Sequence, residues 1–244
     1  MAHRSPEKTF ALVLPTLNEA GNIDRVLTRA TDALSVTDYD YEIIVVDDGS
    51  ADGTIEKVRD WNQRDPRVRL LCRSNERGLA GAVLYGWAQT QAGLLGVMDA
   101  DLQHPPELLP ELLKKAECAD IAIASRYAER KGTEGWNPLR VFISRASTLA
   151  AGCFISKRVR VTDPMSGFFA VRRSCIDGVT FQTTGFKLLL EILVRGRIRN
   201  TREVPYHFGI REAGKSKASA AVGFQYLHLL SRLSRELVWR SSAT

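Results

Sequence analysis

Asp99-Ala100-Asp101-Leu102-Gln103-His104-Pro105-Pro106 follows the apolar run Gly93 to Met98. A helical stretch precedes that run and a Pro-Pro helix start follows it. It therefore reads as a buried strand of an α/β sheet with acidic residues at its C-terminal end. In open α/β sheets the crevice beyond the strand ends is where ligands bind. Two carboxylates one residue apart, with an amide two positions further on, offer the oxygen ligands that a hard divalent cation takes. Asp99, Asp101 and Gln103 thus form a candidate metal site for a substrate diphosphate. The simpler alternative is a solvated Asp-x-Asp turn, and the rest of the chain decides between the two.

Working outward, the same pattern recurs. Thr9 to Leu14 is a short β-like run ending in Pro15-Thr16-Leu17-Asn18-Glu19, after which Ile23, Val26, Leu27, Ala30 and Leu34 recur at helical spacing. Tyr41 to Val46 is a second strand, closed by Asp47-Asp48-Gly49-Ser50 and followed through Asp52-Gly53-Thr54 by another helix. Asp48, with the backbone around Val46, is a candidate reader of a nucleotide base, the alternative being a tight turn with a helix cap. Val68 to Cys72 reads as a third strand, a helix punctuated by Gly78, Gly81 and Gly86 runs on towards Gln91, and Ile121 to Ser125 is a fifth strand. Strands alternating with helices predict a mostly parallel, doubly wound sheet. The first strand is followed by no G-x-G-x-x-G and the chain holds no Walker A loop, which excludes the common dinucleotide and P-loop readings.

The 244 residues, 44% apolar, suffice for one substantial core. Cys72, Cys118, Cys153 and Cys175 are scattered without C-x-x-C spacing, which predicts reduced thiols on the cytoplasmic side. No secretory leader and no long uncharged apolar run is present, so no transmembrane segment is expected. The net charge of +6 is split: residues 1–125 carry −7 and residues 126–244 carry +13. The second half is therefore expected to face something anionic. Nucleic acid is not expected, because no binding motif or stacking-aromatic pattern accompanies the basic residues.

Beyond Ser125-Arg126-Tyr127 the composition changes. Asn137 to Ile155, Phe186 to Leu193 and Ala218 to Trp239 read as amphipathic or strongly apolar helices, available for an interfacial contact with a membrane or for core packing. Between them lie Asp163-Pro164-Met165-Ser166-Gly167-Phe168-Phe169, a short strand at Ala170 and Val171, a final strand at Arg199 to Phe208, and a basic loop from Arg211 to Lys217.

Taken in order, the motifs from Pro15 to Glu19, Val45 to Ser50, Asp99 to Pro106, Ser125 to Tyr127, Asp163 to Phe169, Gly185 to Lys187 and Val204 to Tyr206 resemble those of the dolichol-phosphate (polyprenol-phosphate) mannosyltransferases. These are family 2 glycosyltransferases of GT-A fold. The resemblance covers about residues 9–217. It implies a catalytic domain over residues 1–217, with a nucleotide half at about 9–125 and an acceptor half at about 126–217, followed by an amphipathic helix and tail at 218–244. It implies that Pro15, Leu17, Glu19, Val46 and Asp48 hold guanosine, that Asp99 and Ala100 contact nucleotide and ribose, and that Asp101 and Gln103 bind Mg²⁺ or Mn²⁺. Arg126, Arg140, Ser144, Arg211 and Lys217 are implied around the donor diphosphate and the acceptor phosphate, with residues 211–217 as a lid. Leu17 stands where many relatives have Tyr.

The implied reaction is inverting transfer of mannose from GDP-mannose to a polyprenyl monophosphate. Many prokaryotic relatives append transmembrane helices. Without one, the expectation is peripheral attachment to the cytoplasmic face of a membrane through interfacial helices or a membrane partner subunit. Two alternatives stay open: transfer of glucose or an N-acetylhexosamine from a UDP-sugar, and a non-catalytic subunit that binds lipid phosphate.

Overall fold

The computed structural model describes residues 8–74, 78–128, 151–152, 154–155, 159–182 and 187–207. Seven strands form one sheet: β1 (Thr9–Thr16), β2 (Asp40–Asp47), β3 (Val68–Cys72), β4 (Leu94–Val97), β5 (Ile121–Ser125), β6 (Phe169–Arg172) and β7 (Thr201–Pro205). Their order across the sheet is β3-β2-β1-β4-β6-β5-β7. β1 pairs in parallel with β2 and β4, β2 with β3, and β5 with β7. Among the described strands β6 alone is antiparallel, inserted between β4 and β5.

Among the described residues the helices with defined bounds are α1 (Ile23–Ser35), α2 (Thr54–Arg64), α3 (Leu79–Ala88), α4 (Leu109–Ala116) and α5 (Leu188–Arg195). Side chains alternate across the pleat of β1, so that Phe10, Leu12 and Leu14 enter one core and Ala11 and Val13 the other. The first core is closed by Ile23, Val26, Leu27, Ala30 and Leu34 of α1 and by Leu109, Leu112 and Leu113 of α4. The second is closed by Ala80, Val83 and Trp87 of α3 and by Leu188, Leu189 and Ile192 of α5. Both faces of the sheet are thus covered, as parallel strands require. Gly86 lets α3 lie close on the sheet, because a Cβ there would stand 2.8 Å from a Val13 methyl and 3.0 Å from one of Val46.

Two expectations change. The helix read at 186–193 runs from Leu188 to Arg195, and its Leu188 to Leu193 side chains are all buried, Glu191 included. An all-round apolar helix packs inside, so this element is core and not an interfacial helix. The final strand is shorter than Arg199 to Phe208, ending at Pro205. The helices expected at 137–155 and 218–239 fall wholly or mostly outside the described residues. Among the described residues no helix is long and apolar enough to cross a membrane.

Candidate active site

From β1 the chain adds β2 and β3 on one side and then crosses back to place β4 on the other, and this reversal of strand order opens a crevice at the C-terminal ends of β1 and β4. Pro15 is level with Val46, and Thr16 with Asp47. The loops after β1 and β2 are laced together. Asn18, at φ 57°, receives Ala51 N–H on its side-chain oxygen (3.0 Å) and gives its own N–H to Ser50 Oγ (2.7 Å). The Glu19 N–H donates to Thr54 Oγ1 (2.9 Å), and Asn22 Nδ2 donates to the Glu19 carboxylate (3.0 Å). Asp47 is fully buried and accepts from Thr16 Oγ1, the Ser50 hydroxyl and the N–H groups of Gly49 and Ser50, which makes it the anchor of the turn.

Asp48 is held differently. Arg73 Nε and Nη2 donate to its two oxygens at 2.8 and 2.9 Å, and the Gly78 N–H adds a third bond at 2.9 Å. Arg73 was not singled out in the sequence, because it lies just past the end of β3 with no motif around it. Its guanidinium is packed under α3, 2.8 Å from where a Gly81 Cβ would stand. A base reaching Asp48 would thus meet a carboxylate whose orientation is already fixed. Val46 turns its side chain into the α3 core, leaving only its backbone edge for a ligand.

At the end of β4 the acidic pair divides into two environments. Asp101 is buried and accepts the Gln103 N–H (3.1 Å), while Asp99 is partly exposed. Leu102 between them and His104 sits at φ 62°, a left-handed conformation that turns the chain back on itself. His104 is buried, accepts the Asp99 N–H on Nδ1 (3.3 Å), and packs against the rings of Phe168 and Tyr206. Burial pushes its pKa down to about 4, with Asp101 pulling the other way, so the ring is neutral at physiological pH.

Because β6 runs antiparallel, the segment before it enters the sheet at this same end. Gly167 is what lets it fit: a Cβ there would be 3.2 Å from both Asp99 Oδ2 and His104 Cε1. Asp163 of this segment is fully buried and grips Arg126, at the end of β5, by Nε and Nη2 (2.7 Å each) and by the Arg126 backbone N–H (3.1 Å). Burial works against the Arg126 cation, but Asp163 outweighs it and raises its pKa. The Asp163 loop is tied in turn: Glu203 on β7 accepts from Thr162 and Asp163, and Ser125 shares a 2.8 Å bond with Thr162. Burial raises the pKa of Tyr206, which faces Arg126, Asp163, Asp99 and Asp101. Lys187 faces Arg126 and Asp163.

The structure therefore gathers Pro15, Leu17, Glu19, Val46, Asp48, Asp99, Ala100, Asp101, Gln103 and Arg126 at one end of one sheet. Arg140, Ser144, Arg211 and Lys217 lie outside the described residues. Asp163, Arg73, Lys187 and Tyr206 join the site as additions; Asp163, Lys187 and Tyr206 already stood inside the quoted motifs, which was their only signal. Among the described residues no group of three or more His, Cys, Asp or Glu side chains is gathered as a metal cage. Two carboxylates and an amide, all oxygen donors, nevertheless fit a hard cation that keeps positions for substrate phosphate.

A mostly parallel sheet with paired carboxylates beyond β4 and one antiparallel strand bringing a second motif to them is the GT-A glycosyltransferase fold. The chain belongs to glycosyl transferase family 2, whose family model matches residues 11–188. It is 39% identical over 226 residues to a dolichol-phosphate mannosyltransferase of Pyrococcus furiosus, covering 92% of this chain and 63% of that one, so it spans under two thirds of that relative's length. It is 36% identical to the dolichol-phosphate mannosyltransferase of Saccharomyces cerevisiae, covering 92% of this chain and 86% of that one. Among solved structures, glucosyl-3-phosphoglycerate synthase from Mycobacterium tuberculosis, in complex with Mn²⁺, UDP and phosphoglyceric acid, superposes with a TM-score of 0.67. It is 22% identical, with 93% of this chain and 78% of that one covered, and carries the likeness of fold alone.

Proposed function

We propose that the protein moves mannose from GDP-mannose to a polyprenyl (dolichyl-type) monophosphate, giving polyprenyl-phosphate β-mannose and GDP. The observation that carries this reading is the likeness to dolichol-phosphate mannosyltransferases across 92% of the chain, with the Asp99–Pro106 and Asp163–Phe169 motifs packed together at Gly167. The loops after β1 and β2 would hold the guanosine, and Asp99 with Ala100 the ribose side. Asp101 and Gln103 would hold Mg²⁺ or Mn²⁺, which neutralises charge developing on the departing diphosphate.

This chain's residues then have defined tasks. Arg126, fixed by Asp163, presents its remaining N–H groups as preorganised donors where negative charge gathers in the transition state. The acceptor phosphate, with a second pKa near about 6, is already largely ionised at neutral pH, so no side chain need remove a proton from it. Bringing two anions together is the main barrier, and fixed cations lower it by orientation. Arg140, Ser144, Arg211 and Lys217 are assigned to the same phosphates on the resemblance of the motifs. Contact with the membrane would be peripheral or through a partner subunit.

The test is transfer of labelled sugar from GDP-mannose, and in parallel from UDP-glucose, to a short polyprenyl phosphate in detergent, with and without Mg²⁺ or Mn²⁺. Metal-dependent transfer from GDP-mannose alone is the expected result. Transfer from the UDP-sugar alone would overturn the donor, and binding of farnesyl phosphate without transfer from either would favour a non-catalytic subunit.

A further inference from the structure

The Met98 N–H bonds to β1 at the Val13 carbonyl (3.2 Å), and the next amide, that of Asp99, turns instead to His104 Nδ1 (3.3 Å). That bond spans the loop carrying Asp99, Asp101 and Gln103, so the side chain at the end of the loop closes it onto its beginning. A smaller closure lies inside, from the Gln103 N–H to Asp101 Oδ1 (3.1 Å). Leu102, in the left-handed region at φ 62°, makes the reversal that both closures need.

The imidazole that closes the loop is itself held from the other half of the sheet. It is buried, and it packs on Phe168, from the segment leading into β6 (ring centroids 5.6 Å apart), and on Tyr206, just past β7 (5.8 Å). Gly167 leaves room for its Cε1. The nitrogen facing the Asp99 N–H must offer a lone pair, and the Asp99 carboxylate, 3.8 Å from that same nitrogen, is beyond hydrogen-bond reach. The proton of the neutral ring therefore sits on Nε2. With Nδ1 occupied by the amide and Nε2 protonated, the ring has no lone pair left for a cation.

Groups that hold metal ligands in place govern affinity nearly as much as the ligands do. We propose that His104 is a positioning residue for the metal-bound diphosphate of the donor. By accepting the Asp99 N–H it sets the curve of residues 99–103, and so where Asp101 and Gln103 present their oxygens. This inference rests on the metal-assisted donor binding proposed above. The rival role is packing alone, and two substitutions separate the roles. His104→Asn keeps an oxygen acceptor two bonds from Cβ, where Nδ1 stands, and loses the ring; His104→Phe keeps a ring and loses the acceptor.

The experiment measures GDP affinity by calorimetry, in chelator and across a Mn²⁺ titration, on wild type and both variants, beside thermal melts. In wild type Mn²⁺ should tighten GDP binding. In His104→Phe the Mn²⁺ concentration that half-completes this effect should rise about 10- to 100-fold, the range for groups that orient metal ligands, while GDP affinity in chelator stays within about twofold. His104→Leu, which also lacks the acceptor but has less bulk than Phe, should behave in the same way. His104→Asn should recover most of the Mn²⁺ effect although it melts below His104→Phe, because it gives up the ring contacts with Phe168 and Tyr206. A Mn²⁺ response in His104→Phe and His104→Leu equal to that of wild type would overturn the assignment. So would a response that follows melting temperature, with His104→Asn the most impaired. A wild type whose GDP binding ignores Mn²⁺ would instead overturn the metal reading on which the inference stands.

Discussion

Replacing Asp163 with Ala removes three hydrogen bonds to Arg126 and leaves its guanidinium without the carboxylate that neutralises it. The Asp163 side chain is 0% exposed and that of Arg126 13%, so water cannot stand in for the lost partner. Breaking a buried pair from one side costs about 3–5 kcal/mol. At about 2–4 °C per kcal/mol for a chain of this size, the melting temperature should fall by roughly 6–20 °C. Urea unfolding followed by circular dichroism reads the free energy directly. The reasoning makes a second, sharper demand. Adding Arg126→Met to Asp163→Ala removes the stranded charge, so the double variant should be more stable than Asp163→Ala alone. A loss below about 1 kcal/mol for Asp163→Ala, or losses that simply add in the double variant, would refute the picture of a buried, mutually dependent pair.

Other perturbations read other parts of the site. Asp101→Asn should lower turnover by about 10²-fold or more and abolish any Mg²⁺ or Mn²⁺ dependence of GDP binding, measured by calorimetry with and without chelator. His104 has a folded-state pKa of about 4, below its unfolded value of about 6.5, so the unfolded chain binds the extra proton between these limits. Its contribution, about 3 kcal/mol, is complete above pH 6.5 and lost as pH falls towards 4; urea titrations should show His104→Phe losing less stability over that interval than wild type. Gly96→Ala would place a Cβ 2.5 Å from Phe10 Cζ and should cost about 1–3 kcal/mol by overpacking, seen as a lower urea midpoint with an unchanged slope.

The parallel half of the sheet was legible because each strand carries its own local signal: an apolar run, then small and acidic residues where it emerges from the core. The Asp99–Gln103 site followed from that rule. The place of β6 did not, because pairing with strands far away in sequence leaves no trace in the four residues concerned. For the same reason the sequence showed Arg126 and Asp163 as members of two motifs but not as partners, and passed over Arg73, which grips Asp48 from beyond the next strand. For α5 the sequence left an interfacial contact and core packing both open, and the burial pattern decides for the core. Leu188, Leu189, Leu190, Ile192 and Leu193 circle the helix, and that is the pattern of burial on all sides. The one acidic residue among them, Glu191, is held inside by Arg195.

The antiparallel strand also dictates an order of assembly. β5 does not pair with β4 and joins the strands before it through β6, which is synthesised later. A chain leaving the ribosome can therefore pair β1 to β4 into a four-stranded parallel half-sheet while β5 waits, exposed, for residues 169–172. Pulse-labelling hydrogen exchange should find the amides of β1, β2 and β4 protected before those of β5 and β7, which close together with β6. Simultaneous protection across all seven strands would mean that the sheet forms as one unit. In the stepwise case, the Arg126–Asp163 pair forms only after the parallel half-sheet is complete.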